Sequence, residues 1–410
     1  MARRRYVTGL DLGSSKVSAV VAELREDGLP VIAGVGTSTS AGMKRGVVVD
    51  IERTVKSIAE AVERAERMSG VPVKSAYINI SGAHVGTCNN RGVIAVSRED
   101  KEITQEDVDR VMEAARVINI PSDREIVHVL PRQFVVDGYE GVRDPVGMMG
   151  VRLEVEAQIV TGAVTSIQNV LRSVYRAGLQ VDDVVLAALA SGEAVLQPAE
   201  KELGVVVVDI GGGTTDLAIF EQGSLWYAGV IPIGGEHITN DLAVGLRTPI
   251  NQAESVKVRY GKALASLVPD DAYITVTGVG GSSKREASQK TVCTIIEARA
   301  QEIAEMIGAE IQKSGYSRII PGGLVVTGGC SELPGFIDLL SERLDMPARK
   351  GTPGGVAGLV DAASSPSLAC AVGLVIFASK QLGSKEPGGE VLSEDESFMG
   401  RVVNFFRSLF

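Results

Sequence analysis

Two copies of one short pattern carry the chemistry legible in this sequence. The first runs Asp11-Leu12-Gly13-Ser14-Ser15-Lys16-Val17-Ser18. The second, 198 residues further on, runs Asp209-Ile210-Gly211-Gly212-Gly213-Thr214-Thr215-Asp216. Glycines let backbone N–H groups approach an anion closely and reach positive φ. Ser14, Ser15, Thr214 and Thr215 add hydroxyl donors without bulk, and Lys16 can place a positive charge on a terminal phosphate. Asp11 and Asp209 cannot face phosphate without repulsion. Each can instead hold a water of a Mg²⁺ ion, which keeps several waters when bound. One such turn would be an ordinary Gly-rich hairpin. Two in register, half a chain apart, point to a nucleotide held between two similar halves.

The elements that must position these residues are apolar runs on either side. Residues 7–10 and 17–22 flank the first pattern, and residues 205–208 and 217–220 the second, which predicts strand, Gly-rich turn, strand in both. A third turn, Thr327-Gly328-Gly329-Cys330, follows the apolar run 324–326 and precedes a helix reaching Arg343. Such a turn lets backbone lie against an adenine or ribose, and its helix N-terminus favours anions. Glu254 and Lys257 lie three apart on a predicted helix, 252–260. They could frame a ribose and base or form a simple surface ion pair, and spacing alone leaves both open.

Composition bounds the rest. At 410 residues the chain exceeds a single core, and 45% hydrophobic residues support globular folding. A net charge of −10 and only 4% aromatic residues argue against nucleic acid as the main partner. Cys88, Cys293, Cys330 and Cys370 show no CxxC spacing, and His84, His128 and His237 are scattered. Buried thiols of a reducing compartment are expected, not a metal cluster. Arg3-Arg4-Arg5 is not followed by the apolar run of a signal peptide, and no 18-residue apolar stretch predicts a membrane span. Residues 368–378 read as a core helix.

Along the chain, α/β patterning runs to residue 83. Residues 84–161 change character, with short strands at 93–96, 126–130, 134–136 and 153–159 and a helix opening at the capping-box-like Thr104-Gln105-Glu106-Asp107. A compact inserted domain is expected there. The α/β pattern resumes over 162–203, and a second half is expected over 204–382. Within it, residues 266–290 read as irregular and strand-like, and 291–313 as a long amphipathic helix.

The end of the chain differs. Residues 383–396 are polar, acidic and contain Gly and Pro, which predicts a flexible linker. As a helix, residues 397–410 put Phe398, Met399, Val402, Val403, Phe405, Phe406, Leu409 and Phe410 on one broad face. Arg401, Asn404 and Ser408 lie opposite. Such a helix spans only ~21 Å, too short to cross a bilayer. An apolar face backed by arginine suits lying in a membrane interface. A helix docked on protein is the alternative, and the acidic tether favours the membrane.

Together these features resemble FtsA, the actin-like bacterial cell-division family. Matching stretches include Gly9-Leu10-Asp11-Leu12-Gly13, Gly42-Met43-Lys44-Arg45-Gly46, Ile80-Ser81-Gly82, Thr104-Gln105-Glu106-Asp107-Val108, Pro145-Val146-Gly147, Val208-Asp209-Ile210-Gly211-Gly212-Gly213-Thr214 and Val325-Val326-Thr327-Gly328-Gly329. The hairpins alone would specify only the wider actin, Hsp70 and sugar-kinase superfamily. The insertion and the tail single out FtsA. The resemblance implies an α/β, actin-like (ribonuclease H-like) two-domain ATPase fold. It has subdomain 1A in two parts (1–83, 162–203), an inserted α+β subdomain 1C (84–161), and a second half with 2A and, at about 240–320, 2B. It ends in a C-terminal amphipathic helix.

It further implies ATP in the central cleft, with Mg²⁺ held through water by Asp11 and Asp209. The nucleotide-binding set would be Asp11, Gly13, Ser14, Ser15, Lys16, Asp209, Gly211, Gly212, Gly213, Thr214, Thr215, Glu254, Lys257, Gly328, Gly329 and Cys330. The family forms filaments, tethers FtsZ polymers to the inner face of the cytoplasmic membrane, and recruits later division proteins. The FtsZ tail would dock on the last subdomain of the second half, with Arg285, Lys290 and Arg299 as candidate contacts. A solvated charged face reads those three equally well. Hydrolysing relatives carry Gln or Glu at the strand-to-helix junction between the hairpins. Here it reads Leu186-Ala187-Ala188-Leu189-Ala190-Ser191, and Glu193 lies at least a turn further on. Tight ATP binding with slow or negligible turnover is therefore expected, with no catalytic residue and the nucleotide as a switch. Three rivals share the fold. A small-molecule kinase would need a general-base Asp in the first half. A soluble pilus-assembly-type adaptor would lack the linker and tail. An Hsp70-like chaperone would need a peptide-binding domain after Val375.

Overall fold

The apolar runs around the first Gly-rich turn form β1 (Arg5–Leu12) and β2 (Lys16–Leu24), an antiparallel pair with Asp11 opposite Ser18. The computed structural model describes residues 5–25, 29–278, 284–316 and 320–383. After β3 (Val31–Thr39) a small hairpin, β4 (Met43–Lys44) and β5 (Val47–Val48), leads to α1 (Ile51–Ser69). Asp50 caps α1 by accepting from Arg53 N at 3.0 Å, and Gly70 at φ 69° ends it. Helix α1 packs on β2 and β3. Its buried Ile58, Ala61, Val62 and Ala65 recur at helical spacing. β6 (Ser75–Ile80) then lies parallel to β1.

The inserted domain follows: β7 (Gly86–Ala95), α2 (Gln105–Arg116), β8 (Arg124–Val136), β9 (Tyr139–Val142) and β10 (Arg152–Ala163). The four strands form one sheet in the order β7-β10-β8-β9. Its small core joins Val111 and Ala115 of α2 to Phe134, Leu153 and Val155. The two strands expected at 126–130 and 134–136 are one continuous strand. Pro131 faces Ala157 and Gln133 faces Glu156, so Arg132 is the extra residue of a bulge. A bulge tolerates a proline that an unbroken ladder would not. Cys88 lies exposed on edge strand β7, which corrects the expectation of four buried thiols; Cys293, Cys330 and Cys370 are buried.

Helix α3 (Val164–Arg176) leads into β11 (Gln180–Leu186), parallel to β6, then α4 (Ala187–Val195) and α5 (Pro198–Leu203). The second half repeats the first. β12 (Val205–Ile210), β13 (Thr215–Glu221) and β14 (Ser224–Ile231) form the meander. Then come α6 (Gly235–Gly245), α7 (Ile250–Tyr260), β15 (Tyr273–Thr277), β16 (Lys284–Ser288) and α8 (Gln289–Lys313). β17 (Leu324–Thr327), α9 (Phe336–Leu344) and β18 (Ala348–Lys350) complete it. The order β14-β13-β12-β17-β18 matches β3-β2-β1-β6-β11, with the same pairs antiparallel and parallel. Within residues 266–290, β15 and β16 form a regular antiparallel ribbon.

The chain then returns to the first half. β19 (Ala357–Gly358) pairs in parallel with β3 and is followed by α10 (Val360–Ala363). Helix α11 (Ala369–Gly383) packs on α4 and β1, inside the first hydrophobic core. The expected extent of the second half, 204–382, is thus too long at its end. α11 is apolar nearly all round, and such a helix must be buried on several sides. The expected linker, 383–396, lies outside the described residues apart from Gly383, the last residue of α11. The terminal helix with Phe398, Met399, Val402, Val403, Phe405, Phe406, Leu409 and Phe410 lies wholly outside them.

Candidate functional site

The duplicated topology brings the two Gly-rich turns face to face. Each hairpin is closed by the same bond, Gly13 N to Lys16 O at 3.1 Å and Gly211 N to Thr214 O at 2.9 Å. A Cβ on Gly212 would lie 2.7 Å from Ser15 Cβ, and one on Gly213 would lie 2.6 Å from Ser14 Oγ. Glycine is therefore required by the approach of one hairpin to the other. Between them opens a cleft of about 810 Å³, part of it open to solvent. Asp11, Gly13, Ser14, Ser15, Lys16, Asp209, Gly211, Gly212, Thr214, Gly328 and Gly329 line it together.

Three carboxylates, Asp11, Asp209 and Asp216, face this cleft, with Asp11 and Asp216 buried and Asp209 partly so. Asp11 accepts from Asn79 Nδ2 at 2.8 Å, and Asn79 Oδ1 accepts in turn from Leu12 N at 2.7 Å. Asp209 Oδ2 accepts from Ser191 Oγ at 2.5 Å. Asp216 Oδ2 accepts from Ser81 Oγ at 2.9 Å and Thr214 Oγ1 at 3.1 Å. Burial, with the neighbouring Asp209 charge, pushes Asp11 up to about 7. Burial also raises Asp209, and pushes Asp216 up to about 7. Lys16 is the opposing charge. Its ammonium donates to Ser367 Oγ at 2.7 Å, and burial lowers its pKa against the pull of Asp11 and Asp209. Asp216 Oδ1 is buried with no partner among the described residues. Such an orphan acceptor is costly unless a cation or donor meets it. The site thus fits a group that is anionic on one side and carries a hydrated divalent cation on the other.

Several expected residues stand elsewhere. Thr215 is turned away from the cleft, because side chains alternate along β13, and its hydroxyl donates to Ile233 O at 2.8 Å. Cys330, Glu254 and Lys257 form a neighbouring cluster instead of lining the cleft between the hairpins. Lys257 Nζ reaches Glu254 Oε2 at 2.7 Å, Thr239 Oγ1 at 2.9 Å and Gly235 O at 3.1 Å. The Cys330 thiol sits beside Gly235 and 3.7 Å from Gly211 O, and burial pushes it up to about 11. Of the basic candidates, Arg299 pairs with Asp241 at 2.6 and 3.0 Å and also with Glu302. Arg285 donates to Leu246 O, and Lys290 pairs with Asp270.

Sequence reasoning missed Asn79, Ser81, Ala187, Asp216, Ser367 and Cys370, all of which line the cleft. Asp216 had a signal. It closes the second pattern where Ser18 closes the first, and each is the cross-strand partner of the pattern's opening Asp. Ser367 and Cys370 had none, since they arrive with the returning chain, Ser367 just before α11 and Cys370 in its first turn.

Residues 206–373 match the family model for cell division protein FtsA, and residues 82–161 match that for the SHS2 domain inserted in FtsA. The chain is 43% identical to cell division protein FtsA of Pseudomonas aeruginosa over 395 residues, covering 96% of this chain and 94% of that one. It is 43% identical to that of Bacillus subtilis, covering 92% and 83%, and 35% identical to that of Escherichia coli, covering 99% of both. Among solved structures, a PilM–PilN type IV pilus biogenesis complex superposes with a TM-score of 0.66 at 17% identity, covering 91% of this chain and 98% of that one. MreB5 of Spiroplasma citri bound to ADP superposes with a TM-score of 0.54 at 15% identity, covering 94% and 99%. These two show an actin-like fold.

Proposed function

The chain belongs to the FtsA cell-division family, and from that premise we propose that it is an ATP-controlled, filament-forming tether between division polymers and membrane. ATP would lie in the cleft with its phosphates against the hairpin backbones, Ser14, Ser15, Lys16 and Thr214. Asp11 and Asp209 would hold Mg²⁺ through its waters. When bound, that ion neutralises phosphate charge. Gly328 and Gly329 would support the nucleoside, with Cys330, Glu254 and Lys257 behind them. The observation that carries this reading is that both Gly-rich hairpins, Lys16 and the carboxylates Asp11, Asp209 and Asp216 line one cleft.

Turnover would be slow. Ala187 is the junction residue that lines the cleft, and it has no group to orient water. Glu193, the next carboxylate, is held on the far side by Lys201 at 2.7 Å and by Lys380. The nucleotide then acts by preferring one conformation of the two halves. Filament formation, docking of an FtsZ tail on the 240–320 region near Arg285, Lys290 and Arg299, and recruitment of later division proteins belong to the same reading. No helix among the described residues is long and apolar enough to cross a membrane. Residues 397–410 would supply peripheral attachment to the inner leaflet of the cytoplasmic membrane at the division site.

Liposome co-sedimentation tests the tether. With anionic lipid and Mg-ATP, the full chain should pellet and a chain truncated after Gly383 should remain in solution. If both stay soluble, the tail is a docking helix and a soluble adaptor becomes the better reading.

A further inference from the structure

Two stretches carry no part in the phosphate reading, Gly42-Met43-Lys44-Arg45-Gly46 and Ile80-Ser81-Gly82, yet they meet at the cleft. A Cβ on Gly46 would lie 2.8 Å from Gly82 Cα, so the β4–β5 turn and the segment leaving β6 touch backbone to backbone. The turn also touches both Gly-rich hairpins. Gly46 N donates to Ser14 Oγ at 3.0 Å, and a Cβ on Gly213 would lie 3.0 Å from Arg45 N. Arg45 holds φ 50° and Gly82 φ 116°. A non-glycine residue held at positive φ persists only where its surroundings over-determine it.

Residues 81–84 lead from β6 into the inserted domain. At one end, Ser81 Oγ donates to Asp216 Oδ2 in the cleft at 2.9 Å. At the other, His84 O accepts from Arg124 Nη2 of β8 at 2.9 Å. The same nitrogen reaches Thr161 O at 3.1 Å and Oγ1 at 2.9 Å on β10. Four residues thus connect a carboxylate of the cleft to the two central strands of the insertion. Elsewhere the insertion rests on the second half, where Thr87 Oγ1 donates to Ala228 O at 2.8 Å and the Arg132 guanidinium sits 3.3 Å over the Trp226 ring.

We propose that Ser81 is a positioning residue coupling the phosphate end of the cleft to the inserted domain. Ser81 follows the Asp216 carboxylate, and the 81–84 strap, clamped beneath by the 44–46 turn, passes its shift through Arg124 to β8 and β10. A small displacement is enough, because the two ends are bonded and the strap between them is short. The inference rests on the cleft being the nucleotide site.

Trp226 is the only tryptophan of the chain and lies at the insertion's far contact, so its fluorescence reports that contact directly. The full-length protein is titrated with Mg-ATP, and affinity is measured separately by competition against a labelled nucleotide. The wild-type emission should change on saturation. Ser81→Ala and Arg124→Gln, each saturated with Mg-ATP, should lose at least half of that change, and Ser81→Thr should restore it. Circular dichroism melts show whether each variant is folded, and Arg124 lies outside the cleft lining. Nucleotide binding without any Trp226 change in the wild type overturns the proposal, as does a full change in both variants. Failure of the wild type to compete for labelled nucleotide removes the nucleotide reading itself, and the coupling with it.

Discussion

Ser191 Oγ, one turn into α4, donates to Asp209 Oδ2 at 2.5 Å. The helix that in hydrolysing relatives opens with a water-positioning group here orients a carboxylate of the second hairpin. Only the methyl of Ala187 faces the cleft from that junction. Single-turnover hydrolysis should therefore run below about 1 per second, the low end of usual turnover. Ala187→Gln should raise it by about tenfold or more, since a positioned polar group commonly contributes at least that much. Rapid-quench measurement on both proteins decides it, and a fast wild type would sink the account.

The buried carboxylates make a signed pH prediction. Asp216 rises from 3.8 to about 7 because burial disfavours its charge. Between those values the folded state binds more protons than the unfolded one, so this group lowers stability as pH rises from about 4 to about 7. Asp216→Asn removes the charge while keeping most of the shape. Its melting temperature relative to wild type should be higher at pH 7.5 than at pH 5. A difference that is flat with pH would show Asp216 to be unperturbed.

The hairpin apposition predicts a steric effect. In Gly212→Ala the new methyl would meet Ser15 Cβ at 2.7 Å, a distance that real Cβ atoms do not tolerate. The two hairpins must part by several tenths of an ångström. Nucleotide affinity should fall by about tenfold or more, the loss expected when about 1.4 kcal/mol of binding geometry disappears, while the far-UV circular dichroism stays native. Unchanged affinity in an equilibrium binding assay would mean that the phosphates lie elsewhere.

The returning helix predicts a stability effect. A Cβ on Gly373 of α11 would run into the carbonyl of Ala190 on α4, backbone against backbone. Overpacking of this kind typically costs about 1–3 kcal/mol, and neither helix has a flexible side chain to yield here. Gly373→Ala should lower the denaturation midpoint by an amount near the top of that range. A neutral result in a urea titration would show that α11 does not dock on α4.

The periodicity of the chain made the two halves legible. Short-range pattern sets strand, turn and strand, and glycine marks where backbone must approach closely. Both hairpins, the third turn at Gly328-Gly329 and the apolar α11 could all be read that way. The capping box at Thr104 was equally local, with Asp107 Oδ2 accepting from Thr104 N at 3.1 Å. Where the reading failed, the cause was non-local. Residues 126–130 and 134–136 read as two strands, and only the bulge register with β10 joins them into one. Thr215 looked like a phosphate donor until strand alternation turned it toward Ile233.

Residue types and their spacing are enough to show which side chains could cradle an anion, that they come in two copies, and that a different domain interrupts the first half. Which of them share one cleft depends on how whole elements pack. The pairing order β11-β6-β1-β2-β3 sets Asn79 beside Asp11, and the opposed halves set Ser81 beside Asp216. The return of residues 352–383 brings Ser367 to Lys16 across 351 positions of sequence. Contacts at such separations leave no periodic trace, because they arise from the packing of whole elements and not from the local preferences of the residues that make them.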